Sequence, residues 1–192
     1  MISEEINVEV REKQEFPPLP ENIYQVELLD INAEKRPTYK TRNMPKDQQE
    51  LETVLNFQFT LLNGKDGKES LRGRNVWRNF VPTYLYEGSK GKNALMQILE
   101  ALTETNLSEN SGNNWTTKEL NELIGKQCRV GIKNKTKDNK TYSNIESFYQ
   151  PEGEVEPLTD EEKEKAVVKK GDKSEDIEEV EEEIDADDIP FD

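Results

Sequence analysis

The stretch VLNFQFTLL at residues 54–62 is followed by the turn NGKDGK at 63–68 and by LRGRNVWRNFV at 71–81. In the first stretch, large apolar residues at every second position alternate with Asn56, Gln58 and Thr60. A period of two is typical of a half-buried β-strand. The asparagine and glycines between the two stretches favour the positive φ angles of a hairpin turn. The sequence therefore predicts a central β-hairpin.

The second strand of this hairpin carries three arginines, Arg72, Arg74 and Arg78, among aromatic residues and without an acid. Guanidinium groups can neutralise phosphates, and aromatic faces can stack on unpaired bases. This pattern predicts a module that binds single-stranded nucleic acid.

The formal net charge of −15 is unevenly distributed along the chain. Residues 1–20 carry −3, residues 21–150 carry +2, and residues 151–192 carry −14. The slightly basic body is compatible with a nucleic-acid partner, although the whole chain is acidic. High charge and low hydrophobicity predict that residues 151–192 form a disordered acidic tail, in which residues 159–162 could cap a transient helix through Val168.

Several classes of chemistry lack their usual residues. The chain has no histidine and a single cysteine, Cys128, and it has no glycine-rich phosphate loop. These absences argue against a catalytic base, a zinc site or a nucleotide cofactor, so we expect a protein that is not an enzyme. Cys128 falls on an apolar strand face, which predicts a core position. Without a signal-peptide pattern or a long apolar run, we expect a cytoplasmic protein.

The chain before the hairpin divides into an arm, a strand and a loop. Residues 1–20 are an N-terminal arm, either an accessory edge strand or a mobile segment that pairs with another subunit in a homo-oligomer. Residues 22–31 read as the first strand of the body. The polar residues 32–50, which include Tyr39 and Lys40, read as a long loop that is either functional or a solvated insertion.

Two helices are predicted after the hairpin. The stretch Asn93–Leu102 has one apolar stripe at helical spacing, with Asn93 as its N-cap. Residues 116–119 match a capping box that opens a short helix. The residues that this second helix is expected to bury are Leu120, Leu123 and Ile124.

The last two strands are predicted at residues 127–133 and 141–149, with a basic turn at 133–140 between them. Three strands, a helical region and two further strands match a five-stranded Greek-key barrel of the OB type, with residues 21–150 as the domain. A generic small β-sandwich with two helices is the alternative.

Candidate ligand-binding residues come from the arginine-rich strand, the polar loop and the basic turn. The cationic ones are Arg72, Arg74, Arg78, Lys40, Lys133, Lys135, Lys137 and Lys140. The candidate stacking rings are Trp77, Phe80, Tyr84, Tyr86, Tyr39 and Tyr142. For each ring, a place in the core is the competing interpretation.

Odd and even positions of a strand place their side chains on opposite faces of the sheet, which we call strand parity. The three arginines share their parity with Val76 and Phe80, whereas Trp77 has the opposite parity. If the arginines face nucleic acid, Phe80 is the stacking ring and Trp77 is core. A bulge at Gly73 would change this phase.

The chain ends in Asp187-Asp188-Ile189-Pro190-Phe191-Asp192. This end resembles the acidic C-terminal tip of bacterial single-stranded DNA-binding proteins, except that an aspartate follows the phenylalanine here. The resemblance implies that the acids and the Ile-Pro-Phe tip dock replication and repair proteins.

The body is similar to phage-type single-stranded DNA-binding proteins of the OB class. The similar stretches are Pro18-Leu19-Pro20 leading into Tyr24-Gln25-Val26, Gly73-Arg74, residues 123–126 and residues 140–145. The resemblance implies a protein that coats single-stranded DNA in replication or recombination, in a bacterium or a phage-infected host. Binding of RNA instead of DNA is a less favoured form of this hypothesis. A second hypothesis is a protein–protein adaptor, or an inhibitor whose acidic tail mimics DNA.

Overall fold

The computed structural model describes residues 17–67, 69–89, 91–107, 115–137, 139–153 and 155–171. Most of the predicted arm and the predicted docking tip, Asp187–Phe191, lie outside these ranges. Within them, no helix combines the length and the apolar sequence that a membrane span requires.

One antiparallel sheet contains the five long strands. They are β1 (Ile23–Pro37), β2 (Leu51–Leu61), β3 (Asn75–Pro82), β4 (Gln127–Lys137) and β5 (Lys140–Tyr149). Their order across the sheet is β3-β2-β1-β4-β5. The mainly β prediction is confirmed, with helices between the third and fourth strands. The predicted barrel of the OB type is not confirmed, because β3 and β5 remain the edges of an open sheet among the described residues.

Short elements complete the connections. Two-residue ladders pair Lys65–Asp66 with Glu69–Ser70, and Glu87–Gly88 with Gly91–Lys92. The turn that follows β2 requires a glycine, because a Cβ added at Gly64 would lie 2.6 Å from the Tyr24 ring.

The helices begin where the sequence predicts. Helix α1 (Ala94–Thr103) starts after Asn93, whose Oδ1 accepts a hydrogen bond from the Met96 N–H at 3.1 Å. Helix α2 (Thr117–Asn121) opens with the predicted capping box. The expected burial of Ile124 is wrong, since its side chain is 42% exposed. The helix ends at Asn121, so the apolar period that placed Ile124 inside does not continue that far.

The core lies between one face of the sheet and α1. Phe57 and Phe59 of β2 stack with centroids 6.3 Å apart, and Phe59 also contacts Phe148 of β5 at 5.8 Å. Cys128 is fully buried, as predicted. Leu19, assigned to the arm by the sequence, is also part of this core.

The first strand is longer than predicted. Residues 32–37, expected to begin a loop, continue β1 and pair with residues 51–56 of β2. Four of these six residues are polar and none is a large apolar residue, so they show no apolar alternation, and cross-strand pairing determines their conformation. The loop itself comprises residues 38–50. Its two ends are joined by a hydrogen bond from the Thr38 N–H to the Glu50 carbonyl oxygen at 2.8 Å.

The folded part also extends beyond residue 150, where the sequence places the start of a disordered tail. Helix α3 spans Asp160–Gly171, and the residues before and within it pack on the face of the sheet opposite the core. Leu158 and Ala166 are buried there. We call residues 155–166 the C-terminal strap. The acidic composition of the strap predicts a solvated segment. The contacts that hold it on the sheet come from residues distant in sequence, so the local sequence does not reveal them.

Burial raises the pKa of the Cys128 thiol to about 12, so the thiolate is nearly absent at neutral pH. We therefore expect a thiol reagent at pH 8 to leave the native protein unmodified and to react fully in denaturant. Fast modification under native conditions would contradict the buried position.

Candidate nucleic-acid interface

The β4–β5 hairpin brings five predicted residues onto one face. Lys133, Lys135 and Lys137 alternate along β4, and the register places Lys135 opposite Tyr142 and Lys137 opposite Lys140. Residues that pair across an antiparallel ladder project to the same side. We call these four lysines and Tyr142 the lysine face.

The charge of the lysine face suits a polyanion. Lys133 pairs with Glu146, whose carboxylate lies 3.4 Å from the Lys133 ammonium. The half-exposed ring of Tyr142 lies opposite Lys135 on the same face, so the surface combines cations with an accessible ring.

A second group of predicted residues lies at the far end of the β1–β2 ribbon. Tyr39 is 79% exposed in the loop that joins the two strands, and Lys40 is its neighbour. The guanidinium of Arg42 lies 4.4 Å from the centre of the Tyr39 ring. The loop thus presents a ring and cations together, a combination that can stack on and attract a nucleotide.

These two groups lie at opposite ends of the sheet. β1 and β4 are antiparallel, and Ile23 at the start of β1 pairs with Gly131. The lysine face therefore extends past the beginning of β1, whereas the loop with Tyr39 follows its end. The structure does not bring Lys40 next to the lysines.

The pairing register of β3 shows which face of the sheet Trp77 and Phe80 occupy. Val76 is buried in the core, so the partly buried Trp77 lies on the opposite face of the sheet. The pairing with β2 then shifts, and two consecutive residues, the second of them Phe80, lie opposite Asn56. The change of phase thus occurs at a bulge beside Phe80 rather than at Gly73. As a result, Phe80 is exposed although Val76, of the same parity, is core.

Phe80 belongs to a closed circuit of contacts across three strands. Its N–H donates to Asn56 Oδ1 at 2.9 Å, and Asn56 Nδ2 donates to Glu34 Oε2 at 2.8 Å. Glu34 Oε1 lies 3.7 Å from Arg36 Nε. The Arg36 guanidinium lies 3.6 Å from the centre of the Phe80 ring, which closes the circuit. Asn56, Glu34 and Arg36 were not among the predicted site residues, because only the register of β1 and β2 aligns them.

Arg72 is used inside the fold. Its Nε and Nη2 donate to the two carboxylate oxygens of Glu162 at 2.9 and 3.2 Å. Its remaining donors bind three backbone carbonyl oxygens, of Leu62, Glu156 and Pro157, at 3.2, 3.0 and 2.9 Å. The bidentate pair and the carbonyl contacts fix the C-terminal strap to the sheet. The proposed interface therefore does not include Arg72.

The strap is fixed at further points. Glu27, fully buried on β1, accepts a hydrogen bond from the Leu158 N–H at 3.0 Å and pairs with Lys163 at 2.8 Å. Asn75 of β3 donates to the Ala166 carbonyl oxygen at 2.8 Å. The strap thus covers part of the outer face between the two exposed groups.

The other two arginines are also tied to the body. Arg74 donates to the Pro17 carbonyl oxygen, and burial lowers the pKa of its guanidinium. Arg78 Nη1 donates to the Ile145 carbonyl oxygen at 3.4 Å, which bridges the two edge strands of the open sheet. Both side chains are partly exposed, but neither lies with the lysine face.

Tyr84 and Tyr86 lie in the segment between β3 and α1. Both rings are exposed, while their carbonyl oxygens accept hydrogen bonds from Asn93, the cap of α1, at 2.7 and 2.8 Å. The Tyr86 ring lies over Gly88, where an added Cβ would meet the hydroxyl at 2.5 Å. The backbone of this segment is therefore well anchored, and its two rings remain candidates for stacking.

Comparison with known proteins adds no identification: no family model matches the chain, and no curated protein matches it. Among the described residues, no group of three or more potential ligand side chains could hold a metal ion. The surfaces described above present cationic side chains and exposed aromatic rings.

We call the bidentate ion pair between Arg72 and Glu162 the clamp. Because it requires an ionised carboxylate, acid should weaken the attachment of the strap to the sheet. The hydrogen bond from Arg72 lowers the pKa of Glu162 from 4.5 to about 2. A depressed carboxyl pKa stabilises the folded form above pH 4.5, and the stabilisation is lost as the pH falls towards 2. We expect the protection factor of the Leu158 amide, which compares its exchange with the intrinsic rate at the same pH, to fall over this interval.

The variant Glu162→Gln should show this lower protection factor already at pH 7, because it removes the charge that Arg72 binds. Glu161→Gln is the matched control, since Glu161 is the exposed neighbour with the same charge. Equal protection of Leu158 in both variants would contradict the clamp.

Proposed function

We propose that this chain is a non-enzymatic single-stranded DNA-binding protein that coats DNA in replication or recombination, in the cytoplasm of a bacterium or phage-infected host. The observation that carries the proposal is the lysine face, where the register aligns four cations and an exposed ring. Phosphate neutralisation by lysines supplies affinity for any sequence.

The strand order supports assignment of the body to the OB class. An OB-fold is a five-stranded, partly open Greek-key barrel that binds oligonucleotides through its second and third strands and the loops after strands 1 and 4. Here the corresponding connections are residues 38–50, which carry Tyr39, and the β4–β5 connection, which is flanked by the strand ends that carry the lysine face. The open sheet with a bridging Arg78 fits a partly open barrel.

The exposed rings favour a single strand over a duplex. Tyr39, Phe80 and Tyr142 are all more than half exposed, and they are spread from one end of the sheet to the other. A base offers its face to such a ring only when it is unpaired, and each stacked base is worth about 1–3 kcal/mol. A duplex would use the lysines alone.

The C-terminal tip supplies a second part of the proposal. The residues concerned are Asp187, Asp188, Ile189, Pro190 and Phe191. A short apolar motif with flanking acids on a tether is suited to a groove with a basic rim. We propose that it recruits replication or repair proteins to the coated DNA. The tip lies outside the described residues, so its sequence is the support.

The lysine face can be tested directly. We expect the double variant Lys135→Gln, Lys140→Gln to bind a labelled oligo(dT) more weakly than wild type in fluorescence anisotropy. Each lost phosphate contact should reduce the slope of log K against log salt by about 0.7, hence about 1.4 for the pair.

The matched control is Lys118→Gln, Lys126→Gln, which changes the same charge at exposed positions near α2. If both double variants lose affinity equally, only the overall charge matters and the lysine face is not the site. An adaptor that acts through its acidic tail would show no oligonucleotide binding in any form.

The acidic residues beyond the strap should compete with DNA. A chain that ends at residue 171 keeps the strap and removes a segment of net charge −11. We expect it to bind oligo(dT) more tightly than the full chain at low salt, with a difference that disappears at high salt. Unchanged affinity at low salt would rule out this competition. A chain cut at residue 150 is unsuitable, because it would uncover Glu27.

A further inference from the structure

We propose that Phe80 and Arg36 form a base-stacking subsite, with Asn56 as the positioning residue that holds Phe80 outward. The inference rests on the proposed function and adds a specific location to it. It names the nucleobase, rather than the phosphate, as the group bound at the junction of β1, β2 and β3.

The backbone at Phe80 is the first support. Its φ angle is 60°, a left-handed conformation that is rare for a bulky side chain. Strain of this kind persists where the surrounding structure enforces it, and it is concentrated at functional sites. The Asn56 amide provides the enforcement, since it accepts the N–H of Phe80 at the bulge.

The strain does not serve packing. The Phe80 side chain is 51% exposed, so the core gains little from it. One face of the ring is covered by the Arg36 guanidinium at 3.6 Å. An exposed ring with a cation behind one face is suited to stack another flat group on the other.

The charge of the subsite selects the base over the phosphate. Glu34 pairs with Arg36 and also accepts from Asn56, so the circuit has no net charge. A phosphate would meet the carboxylate as well as the guanidinium. A neutral base can stack on the ring without that repulsion, and its contribution should depend little on salt.

The test compares four variants of the full chain against oligo(dT) and against an abasic oligonucleotide of the same length. Phe80→Gly and Phe80→Leu should bind oligo(dT) about 5- to 150-fold more weakly, the effect of losing one stacked base. Binding to the abasic strand and the slope with salt should stay as in wild type. Phe80→Trp should retain affinity for oligo(dT). Tyr149→Leu, at an exposed ring on β5, should leave both affinities unchanged.

Thermal stability separates a binding role from a structural one. Glycine accepts the 60° φ angle without strain, so Phe80→Gly should melt no lower than wild type while losing affinity. Phe80→Leu keeps both the strain and an apolar side chain, so its loss of affinity carries the test even if the glycine variant folds poorly.

Asn56 is tested through its coupling to Phe80. Asn56→Ala should weaken binding to oligo(dT), and the double variant with Phe80→Gly should be no weaker than Phe80→Gly alone. Additive losses would show that Asn56 does not act through the ring.

Three results would overturn the inference. One is wild-type affinity of Phe80→Gly and Phe80→Leu for oligo(dT). Another is an equal loss on the abasic strand, which would assign the ring to another part of DNA or to a protein partner. Failure of the wild-type chain to bind any oligonucleotide would overturn the proposed function together with the subsite, whereas the first two results leave that function intact.

Discussion

Glu27 is the residue on which the arrangement of the outer face depends. Its carboxylate is fully buried, so it requires both the Lys163 ammonium and the Leu158 N–H that the strap supplies. Removal of one partner from a buried charge costs about 3–5 kcal/mol, and this cost keeps the strap in place. Because the strap then covers the outer face over Asn75, the two exposed groups of candidate residues lie at the two ends of the sheet.

The elements predicted correctly are those with a local signal. The alternation around Phe57, the stripe of α1 with its Asn93 cap and the capping box at Thr116 each need only a few consecutive residues. The end of β1 and the strap were missed for the opposite reason. Residues 32–37 contain no large apolar side chain and become strand through pairing with β2, while the strap is held by Arg72, which is distant in sequence.

The same distinction between local sequence signals and pairing with distant residues applies to the candidate site. The sequence places the lysines of residues 133–140 in a basic turn, whereas pairing with β5 extends β4 to Lys137 and puts Lys133, Lys135 and Lys137 on one face. Phe80 and Trp77 could not be placed from the sequence either, since one extra residue in a strand reverses the direction of every later side chain. The bulge beside Asn56 is a property of two paired strands, and the sequence of β3 alone contains no sign of it.

The two ends of the sheet differ in the kind of interaction that they offer. The lysine face carries excess positive charge, so the DNA attraction that we propose for it would be long-ranged and would weaken with salt. The circuit around Phe80 is neutral, and its ring can act only at contact distance on an unpaired base. A protein that must hold any single strand yet release duplex DNA needs both properties. Charge alone would retain duplex, because duplex carries more phosphate per unit length, whereas a ring presented at Phe80 contributes only when a base is free to stack.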